Sequence, residues 1–164
     1  MADTGMVMYE EEFKHIEAEL SKLHQQANAK VIFLVDKNGQ LIASVGETQK
    51  LDTTSMASLT AGNIAATGGM ARLLGEKEFS ILFHEGKRDN IHISMIGQRV
   101  ILVVVFDQRS SLGLVRLRVK KSVEAFTQIF DRILKKIEKE SGKKFETKSP
   151  FAEITEEDIE KLFG

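Results

Sequence analysis

VIFLVDKNGQLIASV, residues Val31–Val45, sets two apolar runs on either side of the turn DKNG, Asp36–Gly39. Asn38-Gly39 supplies the positive φ that a tight turn demands, so the stretch predicts a β-hairpin. Upstream, Tyr9, Phe13, Ile16, Leu20, Leu23 and Ala27 recur every three or four residues, one stripe of an amphipathic helix. Downstream, Leu51–Gly75 repeats that period in Met56, Leu59, Asn63, Ala66, Met70 and Leu73, which predicts a second helix with this stripe turned to a sheet. Asp52 or Thr53 can cap its start and Gly75 its end.

Three more strands follow. Phe79–Phe83 is short and apolar, Asn90–Ile96 alternates Ile91, Ile93 and Met95 with His92, Ser94 and Ile96, and Val100–Phe106 is apolar on both faces. The last of these should therefore be central. The final periodic segment, about Ser110–Glu140, carries Leu112, Val115, Val119, Val123, Phe126, Phe130, Ile133 and Ile137. Its first part also alternates like a strand, but the continuation through Ile137 favours helix. The order α-ββ-α-βββ-α, with hairpin connections, gives an α+β class: a five-stranded antiparallel sheet between helices. Phe79, Ile81 and Phe83 mark an expected edge strand, and edge pairing of two copies would extend the sheet across a symmetric dimer.

At 164 residues and 18.4 kDa, with 42% hydrophobic and 29% charged residues, the chain suits one globular domain. Without cysteine there is no disulfide framework, thiol catalysis or Cys-ligated zinc. The net charge of −1 argues against a dedicated nucleic-acid binder. No apolar run approaches a membrane span, and Asp3 and Glu10–Glu12 stand where a signal peptide would be basic and apolar, so a cytoplasmic protein is expected. The single proline, Pro150, divides residues 1–150, net +3, from residues 151–164, net −4. This predicts a domain over 1–140, a polar linker over 141–150 and an acidic tail over 151–164. In the tail, Thr155 and Asp158 can form a capping box ahead of Ile159, Leu162 and Phe163, with Phe151 and Ile154 as further apolar anchors. So short a helix cannot stand alone in water, and docking on a partner is the expectation.

No phosphate loop, dinucleotide fingerprint, zinc-protease or serine-hydrolase motif occurs, so no catalytic residue, cofactor or metal is expected. His84, Glu85, Asp89 and His92 are the nearest approach to a metal site, but they span two strands and a turn with nothing to fix their geometry. DKNG lacks the later carboxylates of a calcium loop. Arg109, Arg116, Arg118, Lys120 and Lys121 read as a solvated basic face, with an acidic partner surface as the alternative. The middle helix is the informative segment. AGNIAATGG, Ala61–Gly69, sets Gly62, Gly68 and Gly69 inside a helix, each costing about 1 kcal/mol against alanine. Gly62, Ala65, Ala66 and Gly69 line up as a small-residue stripe, for close packing within the protein or for a flat partner surface.

The element order resembles the roadblock, or dynein-light-chain, superfamily, and within it the bacterial gliding-motility regulators. The matching stretches are VMYEEEF (Val7–Phe13), NAKVIFLVDKNGQLIAS (Asn28–Ser44), LDTTSMASLTAGNIAATGG (Leu51–Gly69), FHEG (Phe83–Gly86), ILVVVFDQRSSLGLVRLRVKK (Ile101–Lys121) and SPFAEITEEDIEKLF (Ser149–Phe163). The resemblance implies a homodimer paired through the third strand into a ten-stranded sheet. It also implies a GTPase-activating protein, not itself an enzyme, for an MglA-type Ras-like small GTPase in its GTP form. One GTPase would be held by two protomers in control of cell polarity and motility, at a cell pole or elsewhere in the cytoplasm. A scaffold that binds the GTPase without activating it is the alternative. Carried over, the GTPase-binding positions are Met56, Leu59, Ala61, Gly62, Ala65, Ala66 and Gly69, with Phe151, Ile154, Ile159, Leu162 and Phe163 docking from the tail. The family repositions the GTPase's own arginine and glutamine rather than inserting a finger, so Arg72 is not assigned that role.

Overall fold

The computed structural model describes residues 3–143, and the side-chain surroundings of residues 9–140. The tail positions Phe151, Ile154, Ile159, Leu162 and Phe163 lie outside the described residues. The elements are α1 (Asp3–Gln26), β1 (Val31–Asp36), β2 (Leu41–Gly46), α2 (Thr53–Leu73), β3 (Ile81–Glu85), β4 (Asn90–Ile96), β5 (Val100–Phe106) and α3 (Leu112–Lys143). They form one five-stranded sheet in the order β2-β1-β5-β4-β3, every pair antiparallel. This is the α+β arrangement expected from the sequence. Helix α3 runs three residues into the stretch read as linker, to Lys143.

The hairpin turn is built by Asp36. Its Oδ1 accepts from the backbone N–H of Asn38 at 2.9 Å and of Gln40 at 3.0 Å, while Gly39 N–H donates to the Asp36 carbonyl. Only Gly39 of the pair takes positive φ, 89°, and Asp36 N–H donates to the Gln40 carbonyl at 2.9 Å, closing a loop of Lys37, Asn38 and Gly39. This is the three-residue hairpin with a glycine bulge rather than the two-residue turn. A Cβ on Gly39 would sit 3.3 Å from Ser58 Cα and 3.6 Å from Ala61 Cβ, so the turn lies directly against α2.

Strands β1 and β5 fill the centre. Every residue of β5, and Val31–Val35 of β1, is buried, so both sheet faces need a cover. On one face α1 presents Ile16, Leu20, Leu23 and Ala27, and α3 presents Val115, Val119, Phe126 and Ile129, against Ile32, Leu34, Leu102, Val104 and Phe106. The two helices run antiparallel: Ser110 Oγ donates to the Ala27 carbonyl, Ser122 to Glu19 and Tyr9 to Glu140, and Lys136 pairs with Glu12 at 2.7 Å. The helical period of α1 leaves Phe13 41% exposed and buries Glu12 instead. Lys136 holds the Glu12 carboxyl below its usual range by donating to it, against the opposing effect of burial. On the other face α2 lies against Val31, Phe33, Val35, Ile93, Met95, Ile101 and Val103.

His92 of β4 points into the α3 face and is 1% exposed. Its Nδ1 lies 3.3 Å from Ser94 Oγ, and its Nε2 has no hydrogen-bond partner among the described residues. Burial, and then the Arg116 guanidinium, push its pKa down to about 4. The folded protein therefore keeps His92 neutral where the unfolded chain, with an imidazole near about 6.5, takes up a proton. Its contribution is complete above a pH of about 6.5 and is lost as pH falls toward about 4. Asp107, held down to about 2 by Arg109, loses its contribution only at lower pH. Urea titrations should show stability falling by about 1–2 kcal/mol from about pH 7 to about pH 5, and His92→Leu should flatten that slope. Equal slopes in the two proteins would remove His92 as the cause.

Candidate functional site

From Thr53 to Ala71, α2 carries no charged residue, only Ala, Gly, Ser, Thr, Asn, Ile, Leu and Met. Its ends are firmly defined. Asp52 caps the start by accepting from Ser55 N–H at 3.0 Å, and the Ser55 hydroxyl donates back to it at 2.6 Å. At the other end Gly75, φ 83°, donates to Arg72 O, and Glu76 N–H donates to Ala71 O, the paired bonds of a Schellman stop.

The face that α2 turns to the sheet is not the one its larger side chains mark. Ala57, Thr60 and Ala71 are its buried residues, with Ile64 and Met56 partly buried against the sheet. Leu59 is 70% exposed, Met70 58% and Leu73 88%, so the expectation that these three cover the sheet is corrected. The stripe is rotated by about one residue, or roughly 100°. Thr60 tolerates burial because its hydroxyl donates to the Met56 carbonyl at 2.7 Å. Small side chains at the contact bring the helix axis close to the sheet, where a leucine stripe would hold it off. An uncharged helix with Ser, Thr and Asn spread among its apolar residues gives little sequence signal for which of its faces turns inward.

Of the seven positions assigned to partner contact, Leu59, Gly62, Ala65 and Ala66 are exposed and Ala61 and Gly69 half-exposed. Met56 is taken partly into the chain's own core. A Cβ built on Gly62, Gly68 or Gly69 meets nothing within 4 Å. Among the described residues, nothing in this chain's own packing requires those glycines. Met70, Leu73 and Leu74 extend the exposed apolar face; the sequence had placed the first two against the sheet.

Strand β3 is an edge of the sheet, paired to β4 alone. It begins at Ile81, so Phe79 lies before it in the connecting loop and is corrected as an edge-strand residue. Ile81 is 52% exposed, whereas Phe83 is half-buried and stacks on Phe106 with centroids 6.2 Å apart. Asn63 on α2 reaches the same strand, its Nδ2 3.0 Å from His84 Nε2. Phe83 pairs with His92 across the ladder, so His84, the next residue, sits on the opposite face of the sheet from His92. No group of three or more His, Asp or Glu gathers to hold a metal ion among the described residues, and no helix there is long and apolar enough to cross a membrane.

Beside α2 lies a cleft of about 280 Å³, floored by Ala61, Ala65 and Gly68 and edged by Lys37, Arg72 and Lys77. These residues come from the hairpin turn, the helix and the loop before β3. No spacing in the sequence joins them.

Residues 16–106 match the model of the Roadblock/LC7 domain family. The chain is similar to Myxococcus xanthus MglB, with 60% identity and a TM-score of 0.73, covering 76% of this chain and 93% of that one. It is also similar to the gliding protein MglB from Thermus thermophilus, with 30% identity and a TM-score of 0.70, covering 74% and 92% of the two chains. A further similar structure, described as MglB with a tetrameric arrangement, has 29% identity and a TM-score of 0.71, covering 74% and 91%. No curated protein sequence matches the chain.

Because the space over Gly62 and Gly69 is open, Gly62→Ala and Gly69→Ala should each stabilise the chain by up to about 1 kcal/mol. Thermal melts should rise by roughly 2–4 °C per substitution. A fall at either position would mean that a second chain already covers it.

Proposed function

The chain belongs to the Roadblock/LC7 family, in its MglB branch, and from that membership we propose that it is a GTPase-activating protein for an MglA-type Ras-like small GTPase in the GTP form. It acts as a homodimer in the control of polarity and motility. The observation that carries the reading is the outward face of α2, free of charge, built from Gly62, Ala65, Ala66 and Gly69, and open above its glycines. A partner's backbone can approach such a face more closely than bulky side chains would allow. The free edge of β3 with Ile81 exposed, and a relative described as tetrameric, support self-association.

The proposed mechanism is the one that membership of the MglB branch implies, and the chemistry of this face is compatible with it. Leu59, Ala65 and Ala66 can neither move a proton nor bring a positive charge to a phosphate. As the resemblance to the family implies, activation acts through shape, by holding the GTPase's own arginine, glutamine and switch loops where the transferring phosphoryl group develops charge. The catalytic groups stay in the partner, and this chain supplies the surface that selects their active arrangement.

Single-turnover GTP hydrolysis by the partner, with this protein in excess, should accelerate on the order of 100-fold. Ala65→Arg with Gly69→Arg should abolish both binding and acceleration while circular dichroism stays native and the melting temperature does not fall, since Ala65 is exposed and a Cβ at Gly69 meets nothing within 4 Å. Binding without acceleration by the native chain would instead make it a scaffold. Separately, Ile81→Lys puts a charge on the free edge and should convert a two-copy species to one copy in sedimentation. An unchanged sedimentation coefficient would place the dimer contact elsewhere.

A further inference from the structure

We infer that the cleft beside α2 is the docking site of this chain's own acidic tail, residues 151–164, when no partner is bound. The cleft combines an apolar floor, Ala61, Ala65 and Gly68, with the cations Lys37, Arg72 and Lys77, and Phe79 forms part of its wall. Glu78 also lines it, leaving a local excess of positive charge. Neither Lys37, Arg72 nor Lys77 forms a side-chain ion pair or hydrogen bond among the described residues. Three unpaired cations around an apolar floor fit a segment that is both acidic and apolar. The tail has that composition: Glu153, Glu156, Glu157, Asp158 and Glu160 against Lys161 alone, interleaved with Phe151, Ile154, Ile159, Leu162 and Phe163.

The route is short enough. Helix α3 starts beside the end of α1, runs back antiparallel to it and ends at Lys143. Helices α1 and α3 cover one face of the sheet and α2 the other, so the segment after Lys143 passes from the first face to the second to reach the cleft. Residues 144–164 reach up to about 70 Å when extended. The basic residues Arg116–Lys121 lie near the start of α3, at the far end of that helix from Lys143.

The absence of cysteine allows a spin label on Gly164→Cys of the full chain, read by the backbone amide signals of the protein alone. Amides of Ala61, Ala65, Gly68 and Lys77 should broaden beyond detection, and Arg72→Glu with Lys77→Glu should restore them without moving signals of the β1–β5 core. High salt should restore them as well, because both sides of the contact are exposed charges. Undiminished signals at the cleft, broadening centred on Arg116–Lys121, or broadening that survives the charge reversal would each overturn the proposal. No GTPase is in the sample, so this outcome is independent of the activating role proposed above.

Discussion

Strand β1 pairs with β5 along its whole length, Val31 with Val105 through Asp36 with Val100, and neither strand has a face open to water. Everything else follows from that ladder. Two continuous apolar strands side by side cannot be solvated on either surface, so helices must cover both. The heavier cover, α1 with α3, is built from Ile, Leu, Val and Phe and holds its two helices in register with hydrogen bonds and the Glu12–Lys136 pair. Loops at one end of the sheet are tied by charge. Lys30 meets Asp89 at 3.3 Å, and Arg109 joins Glu47 at 2.8 Å and Asp107 at 2.9 Å. These exposed pairs order the loops more than they stabilise the fold.

The lighter cover, α2, is built the opposite way. It shields the second face with Ala57, Thr60, Ile64 and Ala71 and leaves Leu59, Met70, Leu73 and Leu74 in water. Its interior glycines cost about 1 kcal/mol each, and no contact among the described residues requires them. A helix that breaks local propensity, buries its small residues and exposes its large ones conflicts with what stability alone would favour. Such conflicts collect at functional surfaces, where the missing free energy is recovered on assembly.

Much of this was legible in one dimension. Helical periodicity placed the three helices, and apolar runs bounded by turns placed the five strands, because both patterns follow from backbone geometry. The apolar run Val100–Phe106 identified itself as central, since a strand buried on both sides has no alternation to show. The small stripe Gly62, Ala65, Ala66 and Gly69 stood out through the local cost of glycine in a helix. The start of β3 did not: Phe79 extends the apolar run, yet the ladder with β4 begins only at Ile81.

The sequence by itself thus determined the element order, the turn at Asp36–Gly39, the caps of α2 and the central strand, all properties of short segments acting through local geometry. Tertiary structure alone decided which side of α2 faces the sheet, because a helix uncharged all round leaves the choice to shape and close approach. It also decided that Glu12 is buried while Phe13 is exposed, because where α3 lies over α1 is set by packing between distant segments. The cleft of Lys37, Arg72 and Lys77 belongs to the same class. Its cations come from three segments that meet only when the hairpin turn closes against α2, and no local spacing encodes that meeting.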